Sequence, residues 1–277
     1  MKKHIKNNNN NIDVDRYDDC HMFNFKYLNL SGVEDRTEKW THYSFEGYGV
    51  PRVSEILDAT IGKSYLNAWA ASLGDKYQHE RMKILDTGSM AHEMIEDFLV
   101  KGYIKESYNF HNADTMKAYK SYHNFVKWWN DMRIKGYKIK ILAVEKVITC
   151  PFYGGTCDCI ASIEDFDGIA RTYVLDFKTS KSIDYSYFLQ TMLYLKGILY
   201  NQLYVINDFI DIPSINGVGV IRVDKEKDNY EYLIADYDRD YPFIYRLEQA
   251  TSDMINWFYE QISVQYEYKQ FRNNWSN

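Results

Sequence analysis

Asp158, Asp176 and Lys178 are the residues whose types and spacing offer chemistry in this sequence. They flank a reversal of the chain. Gly154 to Ile163 leads into Glu164-Asp165-Phe166-Asp167-Gly168, and the return run is Arg171 to Lys178. Asp-Gly between two runs rich in β-branched and aromatic residues predicts a hairpin. Folding back near Asp167-Gly168 sets Asp158 opposite Asp176, since each lies nine residues from position 167. Side chains alternate across a strand, so Cys159, Ala161 and Ile163 share an apolar face with Tyr173, Leu175 and Phe177. The opposite face, expected to be solvated, collects Asp158, Asp176 and Lys178.

Two carboxylates this close repel unless a cation lies between them. Oxygen donors suit hard ions such as Mg²⁺ or Mn²⁺. A lysine two residues beyond the second aspartate adds a fixed positive charge. Together these groups can polarise a phosphoryl group, activate water and stabilise developing charge. The plainer reading is an exposed hairpin face with one ordinary Asp–Lys pair.

Other polar residues stand on elements that would have to bring them there. From Ser89 to Leu99, Ala91, Ile95, Phe98 and Leu99 share one side at helical spacing, with Ser89, after Gly88, as the expected N-cap. His92 sits at the edge of that stripe, and Glu96 lies one turn on. Either Glu96 orients His92 or it is a solvated helix charge, and His92 alone reads equally as a core-edge residue. Gln190 and Tyr194 are one turn apart on a helix expected from about residue 186 to 204, where they are otherwise its polar edge. Glu145 lies on a predicted strand, residues 139–149, before the hairpin; it reaches the site or is a paired or exposed strand residue.

The order of these motifs resembles the PD-(D/E)XK nuclease superfamily, in which a G-x-x-D strand precedes a (D/E)-x-K strand. The matching residues are Gly155, Asp158, Asp176 and Lys178. The RecB-like exonuclease branch adds an upstream G-x-x-x-H-x-x-x-E helix, matched by Gly88, His92 and Glu96, and a downstream Q-x-x-x-Y helix, matched by Gln190 and Tyr194. Val50-Pro51-Arg52-Val53-Ser54-Glu55-Ile56-Leu57 is similar to the P-S-V-T-x-I-L segment of phage exonucleases and of the mitochondrial genome maintenance exonuclease family. The resemblance covers about residues 50–200. It implies an α/β (mixed-sheet α+β) fold flanked by helices, with a restriction-endonuclease-like core. It also implies a Mg²⁺- or Mn²⁺-dependent deoxyribonuclease, an exonuclease acting on single-stranded DNA or DNA ends in phage or bacterial replication, recombination or repair. By the same resemblance His92, Asp158 and Asp176 are metal ligands, Lys178 is catalytic, and Gln190, Tyr194, Glu145 and Glu96 support the site or face DNA. A recombination or replication protein is the implied partner. Two alternatives stay open: a catalytically silent nucleic-acid-binding or assembly protein on this fold, and a structure-selective endonuclease.

The chain as a whole bears on these expectations. Residues 1–40, rich in Lys and Asn and containing five consecutive asparagines from Asn7 to Asn11, read as a partly disordered leader. Residues 41–277 read as a single domain with a C-terminal helix. A net charge of −6 argues against a wholly basic DNA-binding surface. It predicts instead a local channel using Lys178, Lys181 and nearby cations, aided by base stacking on some of the 26 tyrosines. An iron–sulfur cluster, as in some RecB-type nucleases, needs one cysteine upstream and three near the C-terminus. Here the cysteines are Cys20, Cys150, Cys157 and Cys159, so no cluster is expected. Cys157 and Cys159 are expected to share a buried face. Scattered cysteines, no secretory segment and no apolar run of membrane-spanning length point to a cytoplasmic protein without a membrane partner, in the host cytoplasm if phage-encoded. The abundance of Asn, Lys, Ile and Tyr is compatible with a phage genome. Nothing in the sequence specifies an oligomeric state. Further elements are expected at residues 111–133 (helix), 216–223 and 230–235 (strands), and from Pro242 to about residue 268 (helix).

Overall fold

The structure is a computed structural model and describes residues 39–62, 70–204, 209 and 211–275. A small hairpin of β1 (Tyr43–Phe45) and β2 (Tyr48–Val50) leads into α1 (Val53–Ile61). Two long helices follow, α2 (Tyr77–Lys101) and α3 (Ala113–Ile134). β3 (Lys138–Cys150), β4 (Tyr153–Glu164) and β5 (Ala170–Lys178) then pair antiparallel in succession. α4 (Tyr185–Tyr204) carries the chain back, so β6 (Ile215–Val223) lies parallel to β5. β7 (Tyr230–Asp236) pairs antiparallel with β6, and α5 (Tyr241–Trp275) closes the chain. The result is a mixed α/β fold whose five-stranded sheet, in the order β3-β4-β5-β6-β7, is flanked by helices.

The sheet separates two apolar layers. Ile160, Val174, Val218 and Val220 pack with Ile56 of α1, Met192, Leu195 and Ile198 of α4, and Ile244 and Ile255 of α5. The other layer holds Cys159, Ala161, Ile163, Tyr173, Leu175 and Phe177, the six residues whose alternation predicted an apolar face. They meet Ile95 of α2 and Phe125, Trp128 and Met132 of α3. The hairpin register runs from Cys159↔Leu175 to Glu164↔Ala170 and so centres on residue 167. Gly168 supplies the left-handed φ of 79° that the turn requires. Asp165 Oδ1 accepts the amides of Asp167 and Ile169, each at 3.0 Å.

Three expectations change. α2 begins at Tyr77, so Gly88 and Ser89 lie inside the helix and Ser89 is no cap. The preceding Met82, Lys83 and Leu85 are strong helix formers, and one interior glycine costs only about 1 kcal/mol. Cys157 and Cys159 are both buried but belong to opposite layers, because the strand pleat breaks at Asp158 between them. Cys20 lies outside the described residues. Most of the leader does too, but Trp40 is buried against Phe258 and Tyr259, so the packed body already includes residue 40. Among the described residues, no helix is long and apolar enough to cross a membrane.

One core residue makes a prediction of its own. Lys196 of α4 is buried, and its Nζ donates to the Glu248 carbonyl at 2.7 Å and to Ser252 Oγ at 2.8 Å. Burial pulls its pKa down to about 7, against the opposing pull of Glu248 and Asp253. An unfolded lysine holds its proton to about pH 10.4. Between those values the unfolded chain binds more protons, so this group's contribution to stability rises with pH and is lost as pH falls through about 7. Urea unfolding of the wild type and Lys196→Met across that window should give a flatter pH dependence in the variant. Parallel curves would place the group's ionisation elsewhere.

Candidate active site

The site begins where the β4–β5 ladder stops. The last paired residues are Cys159 and Leu175. Just beyond, Asp158 Oδ2 accepts the Phe177 amide at 2.6 Å, taking a place that a ladder carbonyl would otherwise fill. Its other oxygen, Oδ1, lies 3.5 Å from His92 Nδ1 on α2. The neighbouring strand is irregular at the same level. Pairing passes from Val144↔Cys159 to Lys146↔Cys157, leaving Glu145 and Asp158 out of the ladder. Glu145 has a φ of 46°, a left-handed conformation that costs a non-glycine residue on the order of 1–3 kcal/mol. The kink aims its carboxylate inward. Ligand atoms of His92, Glu145 and Asp158 all fall within 4.8 Å of one another.

Asp176 sits beneath this group and is 0 % exposed. Its Oδ2 lies 2.6 Å from Lys178 Nζ, yet neither carboxylate oxygen has a hydrogen bond of good geometry among the described residues. A buried carboxylate left in that state is costly unless another charge serves it. Lys178 in turn stands 5.1 Å from the Tyr187 ring centroid.

The ionisation states follow from burial and these neighbours. Burial pushes Asp176 up to about 6, helped by Asp158 and opposed by Lys178. Burial also acts to raise Asp158, but His92 and Lys178 outweigh it and hold this carboxyl below its ordinary range. Burial acts to lower His92 and Lys178; the two aspartates overcome it and leave both pKa values raised. Glu145 is pushed up to about 7, first by burial and then by Asp158. Two groups that exchange protons near neutrality thus stand beside one that stays ionised.

A cavity of about 630 Å³ opens over these residues. His92, Glu96, Glu145, Asp158, Lys178, Gln190 and Tyr194 all line it, and Asp176 lies just below. The expected solvated face is therefore a recess, because α2 and α4 both close over this end of the sheet. Gly155 permits that approach: a Cβ there would stand 2.5 Å from Tyr194 Cε1. Gln190 Nε2 donates to the Tyr194 hydroxyl at 2.8 Å, fixing the ring against the strand. Gly88 of α2 faces Thr179 in the loop after β5. Glu96 reaches the cavity, but the carboxylate beside His92 is that of Asp158.

No known protein family matches this chain, and neither does any curated protein. The fit to an ion rests on the donors. One imidazole and two carboxylates, from His92, Glu145 and Asp158, suit Mg²⁺ or Mn²⁺, while Asp176 stands outside that group with Lys178 as its ion-pair partner. Sequence reasoning missed Arg52, Thr156 and Thr179 as lining residues. Arg52 stands in the Val50–Leu57 run similar to the phage exonuclease segment, where its position before a helix start was the available signal.

Proposed function

We propose that this chain is a Mg²⁺- or Mn²⁺-dependent deoxyribonuclease, acting as an exonuclease, with the RecB-like PD-(D/E)XK core that its motifs resemble. The observation that carries the reading is the convergence of His92, Glu145, Asp158 and Lys178, from α2 and three successive strands, at one cavity, with Asp176 buried beside Lys178. His92, Glu145 and Asp158 would hold the ion, with Asp176 adjoining. A divalent ion there supplies a Lewis acid for a phosphoryl oxygen and makes water easier to ionise. Lys178 keeps its proton, so its ammonium is fixed where phosphoryl charge grows in the transition state. In the ion-free fold burial pushes Glu145 up to about 7, and a divalent ion bound beside it would hold that carboxylate ionised. Gln190 and Tyr194 form the wall along which a strand would lie.

Purified protein incubated with 5′- and 3′-labelled linear DNA should degrade it from an end in Mg²⁺ or Mn²⁺ and not in EDTA. Closed circular DNA should survive; its cleavage would turn the reading to an endonuclease. No cleavage of any DNA would leave a silent binding protein. Ion binding is checked separately by thermal unfolding. Mn²⁺ at a hundred times its Kd should stabilise the wild type by about 2.7 kcal/mol. Asp158→Asn should abolish most of that shift, and a wild type indifferent to Mn²⁺ would remove the ion from this site.

A further inference from the structure

Lys178 carries its charge on a flexible stem, whereas a charge that steadies a transition state has to be in place beforehand. Asp176 Oδ2 lies 2.6 Å from its Nζ, and the same Nζ lies over the Tyr187 ring, 5.1 Å from the centroid. Only 19 % of the Lys178 side chain is exposed, so little water competes with the ring for the ammonium. The two contacts act differently. Asp176 is an anion and cancels part of the charge that it holds. An aromatic face attracts a cation through its quadrupole and has no net charge, so it restrains the ammonium without neutralising it.

The ring is itself held in place. Tyr187 lies in the first turn of α4, where its amide donates to the Asp184 carbonyl at 3.1 Å and its carbonyl accepts from Thr191 Oγ1 at 3.1 Å. The side chain is half-buried against the apolar layer that α4 shares with the sheet. Phe188, the next residue, is buried and meets Phe243 of α5 edge-on, with centroids 5.4 Å apart, which anchors this turn of the helix.

Tyr187 precedes Gln190 by three residues and Tyr194 by seven, so the three share one stripe of α4. Gln190, Tyr194 and Lys178 line the catalytic cavity and Tyr187 does not. The stripe thus runs from the wall of the cavity to a ring that stands behind its lysine, outside both the D-x-K and the Q-x-x-x-Y motifs. We propose that Tyr187 is a positioning residue, whose ring face holds the Lys178 ammonium at the cavity and leaves its charge free for a phosphoryl oxygen. This rests on the nuclease reading of the site.

The test uses the full chain with phenylalanine or mono-, di- or trifluorophenylalanine placed at position 187. Fluorine hardly changes the size of the ring but drains charge from its face. On labelled single-stranded DNA in Mg²⁺, phenylalanine should keep most of the wild-type kcat, and each added fluorine should lower kcat a further step while KM stays level. Tyr187→Leu, which keeps apolar bulk and loses the face, should lower kcat about tenfold. Tyr185→Leu, at an exposed ring two residues earlier, should not. A role in packing alone would follow size, so an active protein whose kcat is level across the fluorinated series overturns the proposal. A second readout needs no activity. In EDTA, Tyr187→Leu should lower Tm more in the wild type than in a Lys178→Met background, since only the wild type has the contact to lose. Equal drops remove the contact and the proposal with it. A wild type that cleaves no DNA overturns the nuclease reading beneath, and the positioning role falls with it whatever the melts show.

Discussion

Asp176→Asn is expected to lower kcat for DNA cleavage by about 10³-fold, roughly 4 kcal/mol of lost transition-state stabilisation, without weakening the fold. The substitution keeps the shape of a side chain with no exposure and deletes its charge. That charge is a burden to the metal-free fold, since burial has already raised the carboxyl to about 6. The sign follows. Between its unfolded value near 4 and about 6, the folded chain binds more protons, so this group favours the fold at lower pH and costs stability above about 6. In EDTA, Asp176→Asn should therefore melt no lower than the wild type at neutral pH. Lys178→Met should be equally inactive but less stable, by about 3–5 kcal/mol, because it strands the Asp176 carboxylate in the interior. End-labelled DNA assays and thermal melts separate the two effects. Full activity in either variant ends the nuclease assignment.

A large loss of stability is also expected from Gly217→Ala, far from the site. A Cβ on Gly217 would collide with the Ala235 carbonyl oxygen and crowd the Asp236 backbone of β7, atoms that cannot rotate aside. The sheet would have to part between β6 and β7. Asp236 would move with it, and its Oδ2 is the acceptor for the Tyr173 hydroxyl at 2.8 Å. A cost of about 3 kcal/mol or more follows, a fall of roughly 10 °C in Tm. Gly219→Ala is the control: its Cβ collides only with the side chains of Leu175 and Ile234 and stands 3.3 Å from the Leu233 carbonyl oxygen, a tight contact rather than an overlap, so its cost should be smaller. Equal melting of the two variants would show that the backbone clash is not what matters.

What the sequence revealed depended on local rules. Alternation and a central Asp-Gly were enough to set Asp158 near Asp176 and to sort Cys159 from Ile160, because both follow from strand geometry and a short loop. Helical spacing likewise put Gln190 over Tyr194. Glu145 was another matter. A glutamate in the left-handed region carries no sequence signal, since its kink is imposed by the strand beside it. Gly88 read as a helix start although the helix already runs from Tyr77, carried past the glycine by strong helix formers on its N-terminal side. The depth of the site was hidden because the hairpin does not announce that two helices will cover it.

Asp158 does two jobs with its two oxygens. One faces the cavity and the imidazole, while the other ends a ladder by taking the Phe177 amide. Loss of Asp176 would leave that amide satisfied, whereas alanine at 158 would orphan it in the interior. On the nuclease reading, descendants of this gene that drift into inactivity should therefore shed Asp176 first and keep an acceptor at 158 long after any catalytic reason has gone.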